Sequence, residues 1–400
     1  MEKSKRILFV VTQADWGGAQ TFIFNAAQEA MRRGFDVLLA YGGEGALAQK
    51  CMDAGVLTRK LKKMTRTISP MHDIGAIGEL VTLMREWKPD TIFLNSSKAG
   101  VVGSIAGRIA RVPRIIYRIG GWSFNDPVSP LQKKFRLWME QLTARLKDVI
   151  IVNSPDGVAQ ANIHHIRPRR TRMKVTPNVG ARRTRPVQDD GVVLIPNGIA
   201  LSAFDTALLP HTEAQTTLNA FFSNQPSTPP IILTIANFYP AKGLSILLDA
   251  YVQLVKTFPN FRAVIIGDGE GRAALTKQRA DLGLDDIVAL PGQCTDAATL
   301  LRGADVFVLP SIKEGFPWAL LEAMAAMTPS VATDVGGVRW MVENTVSVVP
   351  PASAEALASA LRDTLNDITN AHIRAAQSRR IVENRFTEKE MWEKLFEVLT

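Results

Sequence analysis

The feature that most constrains the fold of this chain is a regular alternation of short apolar runs with longer amphipathic segments. A parallel strand buried on both faces reads as a continuous apolar run, whereas the helices that cover it repeat with a period near 3.6 residues. The alternation fills the first half of the chain and begins again near residue 231. It therefore predicts an α/β protein with two mostly parallel, doubly wound sheets in series. The runs predicted as strands are Arg6–Val11, Asp36–Ala40, Thr91–Leu94, Arg114–Ile119, Val149–Val152, Ile231–Ala236, Ala263–Ile266, Ile287–Leu290, Val306–Leu309 and Ser330–Thr333.

The two series define the domain organisation. We predict a Rossmann-like N-terminal domain over residues 1–197 and a Rossmann-like C-terminal domain over residues 231–386. A linker is predicted over 198–230, which ends in the turn-forming run P-S-T-P-P at 226–230. The last segment, 387–400, has the pattern of an amphipathic helix, and we expect it to join the N-terminal domain.

Charge is distributed unevenly between the halves. Residues 1–200 carry 31 Lys and Arg against 16 Asp and Glu, whereas the second half is net acidic, in a chain of formal charge +9. This asymmetry indicates an anionic partner for the first half, with an ordinary basic surface as the alternative. The stretch 167–185 holds eight Lys and Arg and no acid, and we interpret it as a solvated loop. We expect no nucleic-acid partner.

Other sequence features bear on location and on metals. No apolar run approaches the roughly 18 residues of a membrane-spanning helix, and the two cysteines, Cys51 and Cys294, fit a reducing compartment. We therefore expect a cytoplasmic protein, with peripheral attachment to the inner face of the cell membrane as a further expectation. No Asp-x-Asp triplet occurs, which argues against a metal that bridges a diphosphate.

One segment of the first half, 130–147, leaves two interpretations open. At helical spacing its apolar residues share one face, which favours a helix that packs on the core. A helix that lies on an anionic membrane surface has the same pattern. The residues concerned are Leu131, Phe135, Trp138, Leu142 and Leu146.

The stretch from Ser311 to Pro329 carries the strongest chemical signal. It joins an apolar run to a strong helix former and places Glu314 in the loop and Glu322 in the helix. Gly315 lets backbone amides approach a ligand, and a helix N-terminus suits phosphate. Glu314 would repel phosphate, so it more plausibly accepts hydrogen bonds from hydroxyls. Phosphate and hydroxyls together indicate a nucleotide sugar.

Other loops follow predicted strands in the same way. Gly17 and Gly18 precede a helix after the first strand, and Lys242 precedes a helix after the sixth. A cation at a helix N-terminus is explained if an anion lies between them. Gly267 follows another strand, although its surroundings lack the full dinucleotide fingerprint. Ligands of open α/β sheets bind beyond the carboxyl ends of the strands, so we expect these loops to meet.

Several stretches together resemble the retaining glycosyltransferases of family 4. The resemblance spans nearly the whole chain and implies the GT-B fold, in which two facing Rossmann-like domains enclose a central cleft. Its most specific element is the Glu314-to-Glu322 motif combined with the Lys242-Gly243 pair upstream. The stretches are G-G-A-Q, N-S-S-K-A-G-V-V-G-S, G-W-S-F, P-N-G-I, I-A-N-F-Y-P-A-K-G, V-I-I-G-D-G-E, A-D-V-F-V-L-P-S, E-G-F-P-W-A-L-L-E-A-M-A and D-V-G-G-V.

The resemblance implies a role for each matching residue. Glu314 would hold hydroxyls of the donor sugar, Lys242 would neutralise the donor diphosphate, and Glu322 would hold the ribose hydroxyls. The other positions would bind substrate, by backbone contacts to phosphate or base or as neighbours of the sugar. They are Gly17, Gly18, Trp122, Asn237, Gly267, Gly292, Gln293, Ser311, Gly315, Phe316 and Pro317.

The resemblance also implies the reaction. A UDP- or GDP-linked sugar would be the co-substrate, without metal or further cofactor, and the acceptor would be a lipid-linked or cell-surface glycan precursor. The chain departs from the family at Gly120, where many members have His, at Asn237, where they often have Arg, and at Trp340, where a Glu is usual. A non-catalytic nucleotide-sugar-binding homologue or partner subunit, and a nucleotide-sugar epimerase, are the alternative functions.

Overall fold

The computed structural model describes residues 4–67, 69–169, 191–222, 229–294 and 296–399. Most of the basic stretch 167–185 and residues 226–228 of the proline-rich run lie outside them. The chain divides into two compact units. The first comprises Met1–Pro196 with Trp392–Thr400, and the second comprises Asn197–Met391.

The N-terminal unit is built on a seven-stranded parallel sheet with the order β3-β2-β1-β4-β5-β6-β7. The central strands are buried along almost their whole length, as their apolar runs predict. The strands are β1 Arg6–Val11, β2 Asp36–Tyr41, β3 Leu57–Lys60, β4 Thr91–Asn95, β5 Arg114–Ile119, β6 Val149–Val152 and β7 Val192–Leu194. The helices are α1 Gly18–Arg32, α2 Ala46–Asp53, α3 Pro70–Trp87, α4 Ser97–Ile109, α5 Pro130–Ala144 and α6 Pro155–Ile163, with a three-ten turn at Ser123–Asn125.

The C-terminal unit contains a six-stranded parallel sheet with the order β10-β9-β8-β11-β12-β13. Counted from its own first strand, this is the 3-2-1-4-5-6 order of a doubly wound nucleotide-binding sheet. Its strands are β8 Ile231–Ile235, β9 Arg262–Ile266, β10 Val288–Gly292, β11 Val306–Leu309, β12 Ser330–Thr333 and β13 Ser347–Val349. Its helices are α7 Leu201–Ala207, α8 His211–Asn219, α9 Leu244–Thr257, α10 Arg272–Asp281, α11 Trp318–Ala325, α12 Val338–Val342, α13 Ala354–Asn366 and α14 Ile368–Arg385, with three-ten turns at Pro240–Lys242 and Ala297–Gly303.

The second sheet separates two apolar core layers. Ile231 and Leu233 contribute to one layer, and Ile232 between them contributes to the other. This division follows from the strand period of two, which sends successive side chains to opposite faces. The packing on both faces fixes the position of the strand ends. The first residues of the loops that follow are therefore fixed as well.

The last helix, α15, runs over Glu388–Leu399. Its terminal residues from Trp392 onward belong to the N-terminal unit. There the Trp392 ring lies 5.6 Å from the Phe22 ring, and the Phe396 ring lies 5.8 Å from the Phe35 ring. The amphipathic pattern of the last segment thus corresponds to a helix whose aromatic side packs on the N-terminal core.

All ten predicted strands are present, and the two parallel α/β sheets are confirmed. Three further strands, β3, β7 and β13, were not predicted. Each lies at an edge of its sheet, where one neighbour suffices and no continuous apolar run is needed. The segment predicted as a linker contains α7 and α8 and lies in the C-terminal unit. Asp205 on α7 forms an ion pair of 2.7 Å with Arg379 on α14.

The interpretation of the 130–147 segment as a core-facing helix is wrong. The helix, α5, forms as expected, but it turns Glu140, Thr143 and Ala144 toward the core. Leu131, Phe135, Trp138 and Leu142, the stripe expected inside, are exposed. The buried side of α5 carries a polar network, which is described below.

Candidate active site

The C-terminal sheet brings two of the predicted residues together at its topological switch point. Strands β8 and β11 are neighbours, and the loops after them lead in opposite directions, which opens a crevice at their carboxyl ends. Lys242 follows β8 and Glu314 follows β11. The Lys242 Nζ lies 2.7 Å from the Glu314 Oε1, and the Ser311 hydroxyl donates to the same oxygen at 2.8 Å. Residues 72 positions apart therefore form one charged cluster.

The backbone of these two loops is paired as well. The amide of Ile312 donates to the carbonyl of Ala241 at 2.8 Å. Gly243 has a φ of +64°, and a Cβ there would lie 2.1 Å from the Pro310 carbonyl oxygen. The conformation and the close approach both require glycine at this position. Gly243 therefore lets the loop that carries Lys242 pack closely against the loop that carries Glu314.

A second glycine, in the loop after β12, also packs closely against the loop that carries Glu314. Gly336, in the loop after β12, has a φ of +52°, and a Cβ there would lie 2.1 Å from the Glu314 carbonyl oxygen. The amide of Gly337 donates to the carbonyl of Gly315 at 2.9 Å. The Gly-Gly pair of D-V-G-G-V therefore supports the backbone that carries Glu314.

The loops after β9 and β10 join the same edge of the sheet. The amide of Gly267 donates to the carbonyl of Gly292 at 2.9 Å, and a Cβ on Gly267 would lie 1.9 Å from the Ala236 carbonyl oxygen. Asn237, which follows Ala236, is half-buried, and Gln293 is exposed. The positions predicted to contact phosphate and base thus border one another along the sheet edge.

Glu322 lies on α11, the helix that follows the Glu314 loop. It is half-buried, and no hydrogen bond or ion pair reaches its carboxylate within the described part of the chain. Burial raises the pKa of this carboxyl from 4.5 to about 7. A carboxylate in such a place is well suited to accept hydrogen bonds from ligand hydroxyls, because they would replace the water that it has lost.

Several residues that sequence reasoning did not assign to the site hold it in place. The buried Asn197 side chain donates to the Phe316 carbonyl at 2.9 Å. Thr333, at the end of β12, donates to the Ser311 carbonyl at 2.6 Å. The Trp340 ring lies 6.1 Å from the Phe316 ring, and both lie close to the Phe386 ring.

These supporting contacts explain parts of the sequence. Asn197 belongs to the P-N-G-I stretch, so the resemblance offered a signal for it, whereas nothing in the sequence pairs it with Phe316. Trp340, where a Glu is usual in the family, packs edge-on against Phe316 and Phe386. Pro317 is buried and caps α11. The loop that carries Glu314 is therefore stabilised by the ring contact of Trp340 with Phe316 and by the hydrogen bond from the Asn197 amide.

In the N-terminal unit, Gly17 and Gly18 open α1 in the loop after β1. Gly17 is the extended N-cap residue, with no side-chain cap for the first amides. At the neighbouring loop ends, the Thr12 and Ser96 hydroxyls lie 2.6 Å apart, and the Asn95 side chain donates to the Ala19 carbonyl at 3.3 Å. An ion pair is also present next to this edge: Lys98, near the start of α4, lies 2.6 Å from Asp73 on α3.

Trp122, predicted to bind substrate, is packed within the N-terminal unit. It is 2% exposed, its indole N–H donates to the Gly157 carbonyl at 2.9 Å, and its ring stacks on Phe124 at 5.6 Å. These contacts show that the Trp122 ring contributes to the packing of the domain, and its role in substrate binding stays a prediction. Gly120 is exposed, and a Cβ there would meet only the Asn153 side chain, at 4.0 Å.

In the described ranges, no group of three or more His, Cys, Asp or Glu side chains is placed to hold a metal ion. Within the same residues, no helix has the length and apolarity needed to cross a bilayer. Metal independence stays a prediction.

The two parallel α/β sheets in series have the GT-B fold. The structure matches that of the HepE protein of Anabaena, solved in complex with UDP-glucose, with a TM-score of 0.78 over 98% of this chain and 99% of that one. The two sequences are 22% identical, so this likeness concerns the fold.

Sequence comparison gives the family. A sequence model described as "Glycosyl transferases group 1" matches residues 216–381, and one described as "Glycosyl transferase 4-like domain" matches residues 17–178. The chain belongs to the group 1 glycosyltransferases, as the sequence motifs predict, and it is a glycosyltransferase.

Two curated relatives cover most of the chain. It is 26% identical to the UDP-Gal:alpha-D-GlcNAc-diphosphoundecaprenol alpha-1,3-galactosyltransferase of Escherichia coli, over 78% of this chain and 74% of that protein. It is 23% identical to the capsular polysaccharide biosynthesis glycosyltransferase CapM of Staphylococcus aureus, over 83% of this chain and 82% of that protein.

Proposed function

We propose that this glycosyltransferase moves a hexosyl group from a UDP-linked sugar to a glycan precursor carried on a polyprenyl diphosphate. The name of the E. coli relative supports both the donor and the acceptor, and the UDP-glucose complex of HepE supports the donor. A GDP-linked sugar is the other donor that the site chemistry allows.

The observation that carries this proposal is the Lys242–Glu314 pair at the β8/β11 switch point. A nucleotide sugar has an anionic diphosphate next to a ring of hydroxyls. Lys242 offers the cation for the diphosphate, and Glu314 offers an acceptor for the hydroxyls. The two groups pair at 2.7 Å in this structure, which supports the proposal because a nucleotide sugar needs a cation and a hydrogen-bond acceptor side by side.

Glu322 would complete the donor site by accepting the ribose hydroxyls. Its carboxyl is half-buried and lacks a protein partner within the described residues. Ribose hydroxyl groups would supply the missing donors. The glycine-rich loop ends at Gly267 and Gly292 would leave room for the base and the phosphates.

The reaction is proposed to proceed with retention and without a metal. The bond between the anomeric carbon and the diphosphate oxygen breaks while the acceptor oxygen bonds to that carbon on the same face. The acceptor proton passes to the departing phosphate oxygen, so no protein nucleophile is needed. Lys242 would stabilise the negative charge that develops on the leaving diphosphate, as preorganised charges do in other active sites.

We propose that the reaction takes place at the cytoplasmic face of the membrane. A peripheral protein would reach a lipid-linked acceptor there. The excess of basic residues in the first half of the chain supports this location.

The test uses the purified chain with panels of UDP- and GDP-sugars. A donor that binds only the folded state raises the melting temperature, and the stabilising donor is then incubated with a synthetic polyprenyl-diphosphate-linked monosaccharide. We expect one UDP-sugar to stabilise the protein and to give a product of retained anomeric configuration by NMR, in the presence of EDTA.

Other outcomes would overturn parts of the proposal. An inverted product would exclude retention, and activity lost in EDTA but restored by a divalent cation would exclude metal independence. Conversion of the donor without acceptor would indicate an epimerase. Donor binding without turnover on any acceptor would favour a non-catalytic partner subunit.

A further inference from the structure

Helix α5 of the N-terminal unit has its polarity reversed relative to an ordinary surface helix. Its exposed side is apolar: Leu131 is 77% exposed, Phe135 45%, Trp138 54% and Leu142 54%. At 100° per residue these four side chains fall within a stripe about 60° wide and about 16 Å long. The Phe135 and Trp138 rings are neighbours, with centroids 6.2 Å apart.

The buried side of α5 carries a polar network beside the apolar Leu137 and Ala144, which pack on the core. Glu140 accepts from the Tyr117 hydroxyl at 3.0 Å, and Lys147 lies 3.4 Å from the other carboxylate oxygen. Lys147 also donates to Thr143 at 3.0 Å. This network fixes the rotation of the helix, because turning the apolar stripe inward would carry Glu140 into solvent and leave the Lys147 ammonium buried without its carboxylate.

No other helix in the described part of the chain exposes so many large apolar side chains. On α3 there are two, Met71 and Ile74, and on α14 there is one, Ile373. Among the described aromatic residues, only Phe135, Trp138 and Phe221 are strongly exposed. The stripe on α5 is therefore a concentration of apolar surface and not the usual scatter of single residues.

The charges around the apolar stripe indicate what kind of partner it would bind. Lys133, Lys134 and Arg145 are exposed on or just after α5, and Arg136 pairs with Asp126. The only acid between residues 129 and 146 is Glu140, which is buried. A narrow apolar stripe with two large aromatic rings and a basic border matches an anionic lipid surface, where apolar side chains enter the acyl boundary and cations meet the headgroups.

We infer that α5 is the element through which this protein docks on an anionic membrane. The helix lies in the plane of the interface, with Leu131, Phe135, Trp138 and Leu142 in the acyl boundary and Lys134 and Arg145 at the headgroups. The inference rests on the proposed lipid-linked acceptor for its purpose. Vesicle binding is measured without donor or acceptor, so either proposal can fail while the other holds.

The experiment is co-sedimentation of the full chain with vesicles of phosphatidylcholine, with and without phosphatidylglycerol. We expect binding to the anionic vesicles that weakens with salt. Phe135→Ser combined with Trp138→Ser should reduce the affinity about tenfold or more, since two aromatic side chains no longer leave water. Lys134→Gln combined with Arg145→Gln should reduce it about 25-fold, which corresponds to roughly 1 kcal/mol for each basic residue.

The matched control is Ile373→Ser, which removes an apolar side chain that is 54% exposed on α14 of the other unit. It should bind vesicles like the unchanged protein. All variants should keep the unfolding temperature and the transfer rate to a water-soluble acceptor. Failure of the unchanged chain to sediment with anionic vesicles at low salt would overturn the inference. A dimer in analytical ultracentrifugation that the Phe135→Ser/Trp138→Ser variant dissociates would also overturn it, in favour of a second copy on this face.

Discussion

The two domains share one topology but differ in the chemistry at their strand ends. Each sheet has its switch point beside its first strand, between β1 and β4 in one unit and between β8 and β11 in the other. In the C-terminal unit this place holds the Lys242–Glu314 ion pair. In the N-terminal unit it holds the hydroxyl pair of Thr12 and Ser96.

The cations near the N-terminal loops make internal contacts: Lys98, at the start of α4, pairs with Asp73 at 2.6 Å, and Lys50 lies 4.7 Å from the Trp16 ring centroid. Arg118, at the end of β5, is buried, lies 3.6 Å from the Phe22 ring centroid and donates to Asn95 at 3.1 Å. Burial lowers the pKa of its guanidinium to about 9. The comparison teaches that the same sheet topology is combined with different side chains at the strand ends, so the loop residues and not the fold decide the chemistry of each edge.

The largest effect is expected at Lys242. Lys242→Ala should lower kcat by about 10²–10³-fold, because the leaving diphosphate loses its preorganised cation. Transfer kinetics with saturating acceptor measure this effect. The control is Lys277→Ala, which removes a lysine of the same unit that pairs with Asp281 at 2.6 Å on an exposed helix. Thr12→Val in the other unit should leave the donor Kd unchanged; a loss of donor binding there would break the comparison.

A large effect on stability is expected at Gly336. Gly336→Ala should lower the free energy of unfolding by about 2–4 kcal/mol, because a Cβ would meet the Glu314 carbonyl oxygen at 2.1 Å in a left-handed backbone. Gly283→Ala is the matched control: its φ is +67°, but no atom lies within 4 Å of the added Cβ. It should cost only about 1–2 kcal/mol. Equal losses in urea unfolding would show that the loop contact is unimportant.

Asn197→Ala should have a smaller effect. Loss of the bond to the Phe316 carbonyl should cost about 1–3 kcal/mol and should raise KM for the donor more than it lowers kcat. Urea unfolding and initial rates over a range of donor concentrations measure the two effects. Asn370→Ala, which removes an exposed side chain bonded to Asp367, serves as the control. An unchanged KM would limit Asn197 to a structural role.

The smallest effect is a pH dependence at Glu322. Because burial raises its folded pKa to about 7 from 4.5, the folded chain holds a proton between those values that the unfolded chain has lost. Stability should therefore fall as pH rises through this window, and the full penalty is present above pH 7. Glu322→Gln removes it, so the Tm difference between variant and unchanged protein should grow by a few degrees from pH 5 to 8. A constant difference would contradict the raised pKa.

Sequence reasoning recovered every strand that has a neighbour on both sides and one edge strand, β10, and it missed the edge strands β3, β7 and β13. In β1 five of the six residues are buried, and in β8 four of the five are buried. The pattern of β13 has none that is fully buried. An edge strand needs no apolar run, so its signal in the sequence is weak. The sequence likewise could not show that Asn197 and Thr333 brace the Glu314 loop, because a single hydrogen bond to a backbone carbonyl leaves no periodic trace.

What the sequence determined by itself is local: where strands end, which loops follow them, that Lys242 and Glu314 lie in those loops, and that Glu322 lies in the helix after one of them. Strand, loop and helix signals extend over a few residues, so they can be read without knowing the neighbours. Only the tertiary structure decided that Lys242 meets Glu314, because β8 and β11 become adjacent through the order of the sheet. It also decided which way α5 faces. A helical period is the same for an inward and an outward stripe, and the buried network of Glu140, Tyr117 and Lys147 fixed the choice.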